Sequence, residues 1–85
     1  MNKEEFTKKI GERIREIRTA KGISLNELGL LGTYDKQALS KIENGKKEMT
    51  VFSLAKICHS LNITLEEFFK GFPNENLKEA WRIFS

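Results

Sequence analysis

The chain is poor in the residues that most often carry chemistry or covalent cross-links: it has one cysteine, one histidine, one proline and one tryptophan in 85 residues. A single cysteine excludes an internal disulfide, and Cys58 lies at helical spacing with Leu54 and Leu61, which reads as a buried structural thiol. One histidine and no clustered acids leave no nucleophile and base pair, no metal-ligand set and no phosphate loop. An enzyme is therefore not expected, no cofactor or metal is implied, and His59 reads as a packed or solvent-facing side chain. No apolar run approaches the ~18 residues of a membrane span. The opening MNKEEFTKK is charged where a signal peptide needs its apolar stretch, so the expectation is a cytoplasmic protein with no membrane partner. There is also no alternating strand pattern, internal repeat or long linker.

What is present is a moderate excess of positive charge, unevenly spread. The net charge is +3. Residues 1 to 49 carry eleven Lys or Arg against eight acids, while residues 50 to 85 carry four of each. Lys36, Lys41, Lys46 and Lys47 crowd into twelve residues of the first half. The hydrophobic fraction of 39% is ordinary for a globular protein, and a chain this short has material for one core.

Helical periodicity with capping signals runs through most of the chain. Phe6, Ile10, Ile14 and Ile17 mark one face of a helix over about residues 3 to 21, stopped at Gly22. Ser24 and Glu27 have capping-box spacing ahead of a short second helix, with Leu28 and Leu31 inward, to about Leu31. After a break at Gly32 and Thr33, Asp35 is the N-cap of a third helix with Ala38, Leu39 and Ile42 inward and Gly45 as its stop. Thr50 opens a fourth helix with Val51, Leu54, Ala55, Ile57, Cys58 and Leu61 inward. Thr64 and Glu67 repeat the capping-box spacing before Leu65, Phe68 and Phe69. Beyond Gly71 and Pro73, Leu77, Trp81 and Phe84 lie three and four apart and predict a short sixth helix.

The second and third helices, short, capped and joined by about four residues, with the third polar and basic outside, have helix-turn-helix geometry. The R-x-x-K-G of Arg18 to Gly22, the S-x-x-x-L of Ser24 to Leu28 and the L-S-K-I-E-N-G of Leu39 to Gly45 carry a resemblance to the phage-repressor-like family, the Cro and repressor or XRE type. The likeness spans residues 10 to 69 without a gap and continues through the L-x-K-I-x-x-x-L-x-I-x-x-x-E-F-F of Leu54 to Phe69. It implies an all-α fold, a five-helix lambda-repressor-like DNA-binding domain over residues 1 to 72. The remaining segment, 73 to 85, is expected to form an additional short C-terminal helix.

The resemblance further implies a transcriptional regulator, a repressor by preference, that binds double-stranded DNA with its third helix in the major groove. Lys36, Gln37 and Lys41 match the family's base-reading positions, with Ser40 as an accessory; Gln suits the adenine edge and Lys the guanine edge. Phosphate contacts are expected from Ser24, Asn44, Lys46 and Lys47, and Tyr34 either plugs the turn or offers its hydroxyl to a phosphate. Arg18 and Glu43 are expected to pair between the first and third helices. Lys8 and Lys9 read as solvated charges.

The chain departs from the family pattern at two places. Leu25 stands where the family's Gln contacts a phosphate. At Gly32 and Thr33 the usual apolar residue followed by Gly is reversed, so a non-Gly residue takes the positive φ or the turn shifts by one. One short helix reads few base pairs, so a homodimer on two half-sites is expected. Leu65, Phe69 and Phe72 with Leu77, Trp81 and Phe84 are its candidate interface, the alternative being that the last helix folds back over its own core. Two other readings stay open: an antitoxin-type module that also holds a toxin or other protein, and a controller of a restriction and modification system.

Overall fold

A computed structural model describes residues 2–32, 34–70 and 72. Within them the chain forms five helices: α1 (Lys3–Ala20), α2 (Leu25–Gly32), α3 (Lys36–Glu43), α4 (Val51–Ser60) and α5 (Leu65–Lys70). None is long and apolar enough to cross a membrane. The expected sixth helix with Leu77, Trp81 and Phe84, the boundary after residue 72, and the backbone of Thr33 lie outside the described residues.

Each helix begins where a side chain can satisfy its free N–H groups. Asn2, a cap the periodicity did not mark, accepts from the Glu5 N–H at 2.8 Å. Ser24 and Glu27 form the reciprocal box, Oγ accepting from Glu27 N–H at 3.0 Å and Oε1 from Ser24 N–H at 3.4 Å. Asp35, Thr50 and Thr64 cap α3, α4 and α5.

Three helices end in one way. After α1, α3 and α4 a left-handed residue reverses the chain: Gly22 at φ 69°, Gly45 at φ 72° and Asn62 at φ 59°. In each case the following N–H reaches back to close the last turn, Ile23 to Arg18 O, Lys46 to Lys41 O and Ile63 to Cys58 O. This is the Schellman pattern, and Asn, which tolerates that conformation better than other side chains, replaces Gly at the third site.

Ile10, Ile14, Leu28, Leu39, Ile42, Leu54, Ile57, Leu61 and Phe68 form the core, joined by Cys58 at 2% exposure. Burial raises the Cys58 thiol's pKa above its ordinary value, so the group stays neutral and acts as a small apolar side chain. α1 packs on α3, α2 on both α3 and α4, and α4 on α5.

Two inward assignments are corrected. Leu31 is 61% exposed and Val51 75%. The buried face of α2 runs through Leu25, Leu28, Gly29 and Gly32, one residue out of step with the apolar Leu31. The two glycines let neighbours come close: a Cβ on Gly29 would lie 2.8 Å from the backbone Tyr34 O, and one on Gly32 would lie 3.0 Å from the side-chain Ser60 Oγ. Gly32 is thus the last residue of α2 rather than a break after it. Val51 is the first residue of α4, where the helix has not yet reached its packing partners.

Candidate nucleic-acid interface

The geometry of α3 starts from its attachment to α1. Gly11, in the middle of α1, lies directly on the end of α3: a Cβ there would collide with Ile42 O and come within 2.8 Å of Glu43 O. That contact places the α1 arginines beside Glu43, which is 3% exposed. Arg18 Nε donates to Glu43 Oε2 at 2.7 Å and Nη2 to Oε1 at 3.0 Å, a two-pronged pair between the helices. Its Nη1 donates to Ile23 O at 2.9 Å, so the same guanidinium also holds the start of the path into α2. Hydrogen bonding to Glu43 raises the Arg18 pKa, burial opposes it and the carboxylate's charge adds to it.

Arg15, which sequence reasoning passed over, reaches the same carboxylate at 3.3 Å and donates to Asn44 Oδ1 at 2.7 Å. It lies one turn of α1 before Arg18, and that spacing was the available signal. Arg13, also missed, faces α5 instead and donates to Phe68 O at 2.8 Å and Glu67 O at 3.1 Å.

With α3 held by its C-terminal end, its N-terminal half is presented outward. Lys36, Gln37 and Lys41 are exposed, whereas Leu39 and Ile42 are buried and Ala38 and Ser40 half-buried. Ser40 lies beneath Asn44, whose Nδ2 donates to Ser40 O at 2.9 Å. Both ends of the Asn44 amide therefore have partners within the protein, which fixes its orientation at the end of α3. Lys46 and Lys47 follow, exposed, after the turn at Gly45. Ser24 is exposed at the start of α2, with its hydroxyl oxygen engaged by Glu27 N–H.

Tyr34 takes the first of its two expected roles. Its N–H donates to Gly29 O at 2.8 Å. Its hydroxyl donates to Ser53 O at 3.1 Å and the Lys56 ammonium lies 5.0 Å from its ring centroid. The side chain thus plugs the turn against α4, and its hydroxyl proton is directed inward rather than toward a phosphate. Leu25 is half-buried against the core and offers no polar group at the start of α2.

Of the expected apolar interface residues, Leu65, Phe69 and Phe72 lie among those described. Phe72 is only 5% exposed, its ring 5.6 Å from Phe6 and 5.5 Å from Phe69, so it belongs to this chain's own core rather than to an outer face. Leu65 and Phe69 are half-buried. Among the described residues, the large apolar side chains most open to solvent are elsewhere: Leu30, Leu31, Val51 and Phe52, at 61% to 75% exposure.

Two short helices, α2 and α3, joined by a tight turn and clamped from behind by α1 and α4, with a polar face carried outward by the second, define a helix-turn-helix protein. The chain belongs to the HTH_3 helix-turn-helix family, whose model matches residues 14–68. This is a family of non-enzymatic proteins.

The chain is similar to the clp gene regulator ClgR from C. glutamicum, at 31% identity and TM-score 0.71, over 73% of this chain and 80% of that one. It is similar to the restriction-modification controller protein C.AhdI from Aeromonas hydrophila, at 33% identity and TM-score 0.71, over 74% and 96% of the two chains. A third solved structure, an HTH_3 family transcriptional regulator from Vibrio cholerae, is 27% identical with TM-score 0.80, over 86% of this chain and 41% of its own. No curated protein is similar enough in sequence to count as a relative.

Proposed function

We propose that the protein is a sequence-specific transcriptional repressor that binds double-stranded DNA as a homodimer, each copy placing the N-terminal half of α3 in the major groove. The observation that carries this reading is the attachment of α3 through Gly11, Arg18 and Glu43, which leaves Lys36, Gln37 and Lys41 together on its free face. Gln37 reads adenine N6 and N7, and Lys36 and Lys41 read guanine O6 and N7, each good pair worth ~1 to 3 kcal/mol of discrimination. Ser24, Asn44, Lys46 and Lys47 hold the phosphates on either side. Similarity to C.AhdI, at 33% identity over 96% of that chain, supports a controller of the restriction and modification kind as one such role.

Selection of bound duplexes from a random pool tests the reading. A site built of two half-sites about one helical turn apart is expected. Recovery of no enriched sequence would overturn it.

A second reading, that the same fold also holds a protein such as a toxin, is supported by the exposed Leu31 and Phe52, which line one surface groove, since contiguous apolar surface marks contact sites. Its test is co-purification of this protein with the product of an adjacent gene. Phe52→Lys should abolish that association without changing duplex binding, and co-purification that survives the substitution would remove the reading.

A further inference from the structure

The α1 lysines read as solvated from sequence, yet the fold carries one of them to the end of the reading helix. Gly45, the residue that stops α3, packs against Lys8: a Cβ on Gly45 would lie 2.8 Å from Lys8 Cα, 3.1 Å from its Cβ and 3.3 Å from its Cγ. The stem of Lys8 therefore crosses α3 at its C-terminal turn, and only a residue without a side chain fits beneath it. One groove between α1 and the α3–α4 loop is lined by Lys3, Lys8, Lys46 and Lys47, with Glu4 and Glu48 as its acids.

The pairing within this groove is uneven. Lys3 Nζ lies 2.9 Å from Glu48 Oε1, so the acid of the loop is neutralised by the first lysine of α1. Lys8, Lys46 and Lys47 form no ion pair among the described residues. Three unpaired ammonium groups from two distant parts of the chain thus share one strip, continuous with the end of the helix that faces DNA. Four lysines against two acids leave the strip net positive, which suits a run of phosphates repeating along a strand at regular intervals.

We propose that Lys8 extends the loop of Lys46 and Lys47 into a second binding strip for the DNA phosphodiester backbone, gripping the duplex beyond the bases that α3 reads. The ligand is the sugar-phosphate backbone, and the contact adds affinity without sequence preference. The assignment rests on the DNA-binding reading above. Gly45 serves it twice, by turning the chain at positive φ and by admitting the Lys8 stem.

The test compares salt titrations of duplex affinity on the selected site, with and without an extra half-turn of DNA at each end. Lys8→Gln keeps a stem against Gly45 and removes only the charge. On the longer duplex it should shallow the slope of log K against log salt by about one unit and weaken binding about tenfold near ~0.1 M salt, leaving base preference unchanged. Lys70→Gln, at the far end of α5, should leave the slope as in the wild type. A Lys8→Gln slope equal to wild type, while Lys46→Ala shallows it, overturns the strip alone. Equal changes from Lys8→Gln and Lys70→Gln also overturn it, because they would report net charge and not a contact. Wild-type protein with no salt-dependent duplex binding overturns the DNA-binding reading itself and the strip with it.

Discussion

Arg18 Nε and Glu43 Oε2 lie 2.7 Å apart, joining the last turn of α1 to the last residue of α3. The Glu43 side chain is 2% exposed and that of Arg18 14%, so breaking the pair leaves a largely buried charge without its main counter-charge. Glu43→Gln should therefore cost about 3 to 5 kcal/mol in chemical denaturation, because the surviving guanidinium loses its counter-charge. Arg15, whose side chain is 48% exposed, shares the same carboxylate, but Arg15→Gln should cost under about 1 kcal/mol, its charge being screened by solvent. Equal effects from the two substitutions would contradict the division of roles. The Arg18 pKa is raised, so the stability it lends is present below its ordinary value and is lost only as pH rises through the raised one. On the arginine side the contact is accordingly invariant through neutral pH.

Gly11 is the other half of that attachment. Its missing Cβ is what lets α1 rest on the backbone of Ile42 and Glu43, so Gly11→Ala should lower stability by about 1 to 3 kcal/mol although Ala is the better helix former. The denaturation midpoint should fall with an unchanged slope. A gain in stability would show that the helices do not meet at this point.

The Tyr34 hydroxyl is assigned to Ser53 O and not to DNA. Tyr34→Phe should lower stability by about 0.5 to 1.5 kcal/mol and leave the salt dependence of duplex binding unchanged. A shallower salt slope with unaltered stability would return the hydroxyl to a phosphate.

The helices were legible in the sequence because their signals are local: caps at Ser24, Asp35, Thr50 and Thr64, stops at Gly22 and Gly45, and apolar faces between them. What escaped depends on contacts between distant residues. The face of α2 was misjudged at Leu31 because Gly29 and Gly32, which carry no hydropathy, occupy the buried positions where Tyr34 and Ser60 approach closely. Gly11 and Lys8 belong to the same class, since their surroundings come from the end of α3, more than thirty residues away. Asn62 was missed as a helix stop because it takes a conformation more usual for glycine. Of the outer face of α3, the residue types were readable from their spacing. The arrangement behind it, with Arg15 on both Glu43 and Asn44, was not.

The central claim is that α3 reads bases while the loop after it holds phosphates. It is tested most directly by measuring binding of Gln37→Ala and Lys46→Ala to the selected site, to its single-base variants and across a salt series. Gln37→Ala should relax preference at one or two base pairs and leave the salt slope nearly unchanged, whereas Lys46→Ala should weaken binding on every sequence and shallow the slope by about one unit. A Gln37→Ala protein that loses affinity equally on all sequences would contradict the account, because the outward face of α3 would not be the one in contact with the bases.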